Sequence, residues 1–313
     1  MHPQPTPAIV VHGGAGDLDP VDSTSSGGTE GPRLEGVRRA CSAGWSILSA
    51  GGSALDAVEA AVRLLEDDPV FNAGTGATLT SAGDVELDAS IMDGASLRCG
   101  AVAVVKDVRN PISLARAVME RTHHVLLAGP GASAFAREIG LPPHENGLLV
   151  TPRQRRRWEE ARAALRAQAR PGAPSKHGTV GAVARDARGH LAAATSTGGM
   201  SMKLPGRVGD TALIGCGTYA DDALAAVSCT GHGERVIQLT LGRHAADLVG
   251  RGASAMDAAR EAAALLGRRL QGNGGLIVVG PAGEVGFAHN TAAMSRAWTA
   301  ADGSILAALW PAA

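Results

Sequence analysis

"SKHGTVGAVARD", residues 175–186, decides how this chain is read. A polar, proline-bearing stretch stops at Gly178, and an apolar run with the alternation of a strand starts at Thr179. A threonine at the head of a strand is unremarkable by itself, because β-branched residues favour strands. The position carries a second, chemical reading. A threonine hydroxyl is a weak nucleophile in need of a base, and a cut before Thr179 would place a new α-amine on the same residue. Such an amine has an unperturbed pKa near ~8, so a useful neutral fraction exists close to neutral pH. Gly178 suits that cut, because unusual backbone angles cost least beside a residue without Cβ.

Outward from this seam, "TVGAVARD" and "HLAAATST" (190–197) are apolar runs joined around a turn, the pattern of a β-hairpin. "GGLIVVGPAGEVGFAHN" (274–290) repeats it with a "PAGE" turn. "AIVVHGGAG" (8–16) reads as a buried strand running into glycines, followed by a surface loop, "DLDPVDSTSSGGTEGP" (17–32). "CGAVAVVKD" (99–107) is a further strand, and "NPISLARAVMER" (110–121) a helix with proline in its first turn. "SALDAVEAAVRLLEDD" from Ser53 and "SAMDAAREAAALLG" from Ser254 have helical apolar spacing, each with a serine cap and an acid three residues on. Strands joined both by hairpins and by helices predict a mixed sheet with helices outside, of α/β or α+β class.

The 313 residues suit one large domain or two small ones. With 45% hydrophobic and 19% charged residues and a net charge of −1, the chain has no field that would draw in nucleic acid or an anionic membrane. Aromatic residues make up only 3% while glycine reaches 42, so the core is expected to pack small aliphatic side chains at close backbone approach. The four cysteines, Cys41, Cys99, Cys216 and Cys229, lack CxxC spacing and read as buried thiols. No apolar run reaches ~18 residues and no signal-peptide pattern opens the chain, which predicts a cytoplasmic protein.

Three stretches invite other readings. "VLLAGPGASAFAREIG" (125–140) resembles a dinucleotide-binding turn, but the acid expected about 20 residues on has no counterpart. Adjacent His123 and His124 would point to opposite faces of a strand, so they are not expected to pair as metal ligands. "TPRQRRRWEEARAALRAQARPGAPSK" (151–176) is arginine-rich, yet its one aromatic and interleaved acids fit a solvated helix and flexible connector better than a nucleic-acid surface.

The remaining chemistry gathers in the second half. "TSTGG" ends a strand with Thr195, Ser196 and Thr197, "LPGRVGD" supplies Arg207 and Asp210, and "SCTGHGE" places Thr230 and Gly231 after another apolar run. Together with "HGGAG" (12–16), "FNAGTGATLTSAGDVELDASIMDG" (71–94), "GNGGLIVV" (272–279) and "AHNTAAMSRAW" (288–298), these motifs run in order through almost the whole chain. In that order they resemble the plant-type asparaginase and isoaspartyl peptidase family of N-terminal nucleophile hydrolases.

The resemblance implies an α+β fold, a four-layer αββα sandwich, in one domain over residues 1–313. It implies self-cleavage between Gly178 and Thr179 into an α subunit (1–178, with a flexible linker near 144–178) and a β subunit (179–313), and a dimer of such heterodimers. By motif, Thr179 becomes the nucleophile and Thr197 the neighbour that helps to activate it. Arg207 would receive the substrate's α-carboxylate and Asp210 its α-ammonium, and a zwitterionic head does need one cation and one anion. Thr230 and Gly231 would form the oxyanion hole, with Gly233 also on the substrate side. Gly13, in the loop with His12 and Gly14, and Asn72 would support the nucleophile. Leu65, Glu66, Asp68, Phe71, Ala73 and Thr75 match a loop whose carbonyls hold a structural sodium ion, and no organic cofactor is implied. The substrates would be L-asparagine and β-aspartyl dipeptides.

Two departures stand out. His232 replaces a threonine beside the expected oxyanion hole, which puts an imidazole there that could reshape the pocket. "AHNT" (288–291) lacks the usual aromatic start of its motif, where only a packing change is expected. Glycosylasparaginases usually carry aspartate where this chain has Gly178, which favours the asparaginase branch. A glycosylasparaginase-like or protein-cleaving threonine hydrolase is the alternative enzyme. A silent relative that stays uncleaved and acts as a binding protein is the alternative of another class.

Overall fold

The computed structural model describes residues 6–16, 31–166 and 178–310. Two sheets form its centre. The larger has eight strands in the order β12-β11-β1-β5-β6-β2-β3-β4, and the smaller has four, β10-β9-β8-β7. In the larger sheet β1 (Ala8–Gly16) pairs antiparallel with β5 (Val180–Arg185), and β5 with β6 (Leu191–Thr197). β6 then pairs with β2 (Leu87–Asp93), and β2 with β3 (Cys99–Val105). β11 (Ala293–Thr299) pairs with β1 on its other side and with the edge strand β12 (Ile305–Ala308), and β4 (Leu126–Ala128) lies parallel to β3. In the smaller sheet β8 (Ala226–Gly231) lies between β7 (Thr218–Ala220) and β9 (Gly274–Val279), and β9 turns back into β10 (Val285–His289).

Alternation on the central strands shows why both faces must be covered. Val180, Ala182 and Ala184 of β5 enter one apolar cluster with α1 (Pro32–Ser49), α2 (Ala54–Asp67) and α3 (Pro111–Arg121), while Val183 enters another. That second cluster lies between the sheets and continues under α7 (Leu241–Gly250) and α8 (Ala255–Leu270). Helices, sheet, sheet and helices therefore form four layers, and a strand apolar on both faces reads as a near-continuous run. The remaining helices are α4 (Gly129–Glu138), α5 (Pro152–Arg166) and α6 (Gly233–Leu239).

Local signals act as the residues dictate. Ser53 and Ser254 are both extended caps whose side chains accept the N–H of Asp56 and Asp257. Both anticipated hairpins form. The four cysteines are free, and Cys99 alone among them is only half-buried. Asn290 of the "AHNT" motif ties its hairpin to the preceding loop, accepting from Gly274 N–H and donating to the Gly272 carbonyl.

Other expectations change. The arginine-rich stretch is docked over its first part, because Trp158 of α5 is buried against Leu79 and Leu149 and donates to the Thr80 carbonyl at 2.8 Å. The rest of that stretch and most of the 17–32 loop lie outside the described residues. His123 and His124 sit in a bend rather than a strand, and their ring centroids are 3.9 Å apart instead of on opposite faces. A strand does precede a glycine-led helix at Gly129, but a Cβ at Gly129 or Gly131 would meet nothing within 4 Å. These glycines serve no close backbone approach. No described helix is long and apolar enough to cross a membrane.

Glu66 is a buried acid in the helical layer. Its fully buried carboxyl caps α3 by accepting the Ile112 N–H at 3.0 Å through Oε1. Burial pushes the carboxyl from 4.5 up to about 8 despite that hydrogen bond. Between those values the folded chain keeps a proton that the unfolded chain has released, so the contribution is full below the lower value and fades as pH rises through the upper. Denaturant unfolding from about pH 5 to about pH 9 should cost the wild type a few kcal/mol more than Glu66→Gln. Parallel profiles would show that the group does not titrate in this window.

Candidate active site

Strand β5 starts where the two sheets and the first glycine loop meet, and Thr179 immediately precedes it. A small pocket opens there, lined by Gly178, Thr179, Thr197, Gly199, Met200, Arg207, Asp210 and Gly231. Thr179 and Thr197 are brought together because β6 ends beside the head of β5, with Ser196 opposite Val180, and Gly231 reaches the pocket from the end of β8 in the other sheet.

The hydrogen bonds at this seam run in one direction. Thr179 Oγ1 lies 3.2 Å from Thr197 Oγ1, and Thr197 Oγ1 lies 3.1 Å from the Gly178 carbonyl oxygen. A carbonyl only accepts, so Thr197 gives its proton there and receives one from Thr179. Gly199 N–H also donates to Thr197 Oγ1 at 2.9 Å. Asn72 supplies a second donor to the Gly178 carbonyl, its Nδ2 at 2.6 Å, and reaches the Gly199 carbonyl at 2.8 Å. Thr78, which the sequence reading did not single out, braces Asn72 by donating its N–H to Oδ1 at 2.8 Å. The result is a peptide carbonyl polarised by two donors beside a hydroxyl nucleophile, as an acyl transfer needs.

Glycines shape the seam, though not through unusual backbone angles at Gly178. Gly178 does not take a left-handed conformation; its lack of Cβ matters because one would press on Asn72 Cβ at 3.1 Å. Gly13 packs against Phe71, whereas Gly14, at φ 101°, backs the bond itself, a Cβ there lying 3.0 Å from Gly178 Cα and 3.2 Å from Thr179 N.

Arg207 and Asp210 face the same pocket. Glu234 of α6, also missed from sequence, holds the Arg207 guanidinium by Oε1, at 3.0 Å from Nε and 2.9 Å from Nη2. Asp210 is 4% exposed, with Oδ2 lacking a partner among the described residues. Burial raises its carboxyl to about 7, opposed by the Arg207 charge. Gly233 fits between them, since a Cβ would sit 2.8 Å from both Arg207 Nη2 and Asp210 Oδ1. Gly231, at φ 133°, lines the pocket, while Thr230 is fully buried and its hydroxyl accepts from Ala15 N–H at 3.3 Å. His232 caps α6 and lies 3.8 Å from Glu234.

The loop after α2 is the expected cation site. It doubles back through Gly74 (φ 51°) and Gly76 (φ 92°), with Thr75 N–H donating to the Glu66 carbonyl at 2.7 Å. A Cβ on Gly76 would lie 2.6 Å from the Pro69 oxygen and 2.8 Å from that of Phe71, so the turn crowds neutral carbonyl oxygens together. Carbonyl oxygens suit a hard cation, and of these two only Phe71 belongs to the six expected ligands, the Pro69 oxygen accepting from Arg153 Nη2 at 2.9 Å.

Comparison with known proteins follows this geometry. The asparaginase family model matches residues 5–307. The chain belongs to the asparaginase family. Within that family it is 46% identical to the isoaspartyl peptidase/L-asparaginase of Bos taurus over 300 residues, 96% of this chain and 94% of the relative. It is 48% identical to the plant-type L-asparaginase of Pyrococcus abyssi, covering 93% and 95% of the two chains. The isoaspartyl peptidase/L-asparaginase of Homo sapiens is 43% identical over 96% and 94%. The mixed two-sheet architecture agrees with the family's αββα sandwich.

Proposed function

We propose that the chain is a self-activating threonine amidohydrolase that releases L-aspartate from L-asparagine and β-aspartyl dipeptides. The single observation that carries this reading is the Gly178 carbonyl, held by Asn72 and Thr197 beside the Thr179 hydroxyl. In the first event Thr179 Oγ1 attacks the Gly178 carbonyl carbon, the C–N bond breaks, and the hydroxyl proton ends on the freed amine. Water then hydrolyses the ester, leaving the Gly178 carboxylate and Thr179 with both hydroxyl and α-amine.

In turnover that amine takes the proton of Thr179 Oγ1 as it attacks the side-chain carbonyl of the substrate. Ammonia or an amino acid leaves, and water hydrolyses the β-aspartyl ester. Arg207 receives the α-carboxylate, exchanging Glu234 for the substrate, and Asp210 receives the α-ammonium. Thr230 and Gly231 stabilise the oxyanion, where one donor is typically worth roughly 3 kcal/mol. None of these steps calls for an organic cofactor. The names of the relatives, the pocket-facing cation and anion, and the family's motifs all support this reading.

The loop after α2 would hold a sodium ion through carbonyls of Leu65, Glu66, Asp68, Phe71, Ala73 and Thr75, bracing Phe71 and Asn72 behind the nucleophile. Exchange of sodium for tetramethylammonium should lower the thermal midpoint by a few degrees; an unchanged midpoint would leave the loop without an ion. The family resemblance further implies two α/β pairs per molecule, read by sedimentation at twice the precursor mass.

Intact mass after incubation tests the central claim. Wild type should yield two fragments, 1–178 and 179–313, and Thr179→Ala a single inactive chain; a wild type that persists whole would favour a silent binding relative. Asp210 gives the pH dependence. Its raised value makes it neutral on the acid side of about 7, so kcat/KM should fall as pH drops through that region. Asp210→Asn should lower kcat/KM roughly tenfold or more and leave residual activity without this limb, and a limb that survives belongs to another group.

A further inference from the structure

One side chain outside the pocket touches both backbone segments that flank the Gly178–Thr179 bond, and the reaction above does not use it. Arg33 stands in the first turn of α1 and is half-buried. Its Nη1 donates to the Gly13 carbonyl at 2.9 Å, and its Nη2 to the Val70 carbonyl at 3.4 Å. Gly13 precedes Gly14, where a Cβ would crowd Gly178 Cα and Thr179 N. Val70 stands two residues before Asn72, whose Nδ2 donates to the Gly178 carbonyl. One guanidinium therefore joins the bend that backs the bond to the loop that polarises its carbonyl.

Phe71 fills the space that this guanidinium closes. Its ring is fully buried, and the guanidinium carbon of Arg33 lies 5.5 Å from the ring centroid. A Cβ on Gly13 would run into Phe71 Cε1, and one on Gly36 would lie 2.6 Å from Cε2. Gly36 follows Arg33 by three residues, so both stand on one face of α1. That face meets the ring with a cation at one position and an open space at the other, and the residue after Phe71 is Asn72. Arg153 of α5 adds donors to the Pro69 and Val70 carbonyls at 2.9 and 2.8 Å, so the same loop is gripped from a second helix. Arg33 carries that grip across to the glycine bend.

Local rules do not call for arginine at this position. The first turn of a helix carries the positive end of the macrodipole, which suits an acid such as Glu35 and disfavours a cation. A rule broken locally points to a gain made elsewhere in the fold. Here the gain is geometric: two carbonyl oxygens from different segments need two donors at a fixed separation, and a planar guanidinium supplies them. A lysine ammonium on its flexible stem is a single point and serves one oxygen at a time.

We propose that Arg33 is a positioning residue for Thr179 chemistry: by tying Gly13 to Val70 it fixes the Gly13–Gly14 bend against the loop that bears Asn72, and so holds the Gly178–Thr179 bond between them. The inference rests on the reading of Thr179 as nucleophile. Arg207, held by Glu234, and Asp210 stand in the segment between β6 and β7, which Arg33 does not brace. Loss of Arg33 therefore acts on the reacting groups and spares the substrate clamp.

The test follows self-cleavage of full-length variants by intact mass, then kcat and KM of the matured chains on a β-aspartyl dipeptide. Arg33→Ala should cleave roughly tenfold or more slowly than wild type, and after maturation show a similar loss of kcat with KM nearly unchanged. Arg33→Lys, which keeps the charge and one of the two contacts, should fall between. Arg39 gives the control, since it pairs with Asp68 of the same loop at 2.6 Å from the exposed side of the same helix. Arg39→Ala should cleave at the wild-type rate. A wild-type rate in Arg33→Ala, or equal slowing in Arg39→Ala, overturns the proposal; if Arg33→Ala does not fold, a wild-type rate in Arg33→Lys does so. The hold on Asn72 is also read without activity. In the Thr179→Ala chain, adding Arg33→Ala should speed deuterium exchange at the Thr78 amide, which donates to Asn72 Oδ1, while the amides shared by β5 and β6 keep their rates. Unchanged Thr78 exchange overturns the proposal whether or not wild type cleaves. A wild type that stays whole, with faster Thr78 exchange in the variant, counts against the role of Thr179 and leaves that of Arg33 supported.

Discussion

The carbonyl oxygen of Gly178 accepts from Asn72 and from Thr197, and the site is arranged around that one atom. Its two donors come from different elements, one from the loop after α2 and one from the end of β6. Each is itself tied down, Asn72 by Thr78 and Thr197 by the Gly199 N–H. A polarised carbonyl is useful only if it cannot turn away, so the loop, the hairpin and the first glycine bend must all keep their places. The four-layer fold meets that requirement by burying both faces of the strands that meet here.

Electrostatics divide the site into two regions. The seam around Gly178 is built from neutral donors and acceptors, which suits chemistry on a peptide or amide carbonyl. A few residues away, Arg207, Asp210 and Glu234 form a charged region in which burial works against Asp210 while Glu234 occupies Arg207. A zwitterionic ligand brings the two missing charges, so binding would relieve a buried carboxyl and replace a partner already held. The same loop is near Lys203, buried and donating to the Glu86 carbonyl, which ties the charged region to the strand leading into β2.

Much of the fold was legible because the signals were local. The serine caps at Ser53 and Ser254, the proline-led α3 and both hairpins depend on residues a few positions apart, and each forms where expected. Less was legible where a residue's meaning depends on its neighbours in space. Trp158 looked like one aromatic on a solvated helix, yet Leu79 and Leu149 provide a small core for it. Thr78 and Glu234 carried no signal of their own, since a threonine in a glycine-rich loop and an acid in a first helical turn each have ordinary local explanations.

The sequence by itself determined the class of chemistry: a threonine at a glycine-led strand head, a second threonine closing the next strand, and an arginine and an aspartate three residues apart. It also determined the alternation that gives strands two apolar faces. Tertiary structure alone decided which atoms meet. It placed Gly14 rather than Gly13 behind the Gly178–Thr179 bond, gave Gly178 an ordinary backbone pressed by Asn72, and turned the Thr230 hydroxyl toward Ala15. It also set the Arg33 guanidinium between the Gly13 and Val70 carbonyls. The reason is geometric: side-chain type and periodicity act over a few residues, whereas a hydrogen bond is settled by tenths of an ångström between strands that only the packed layers bring together.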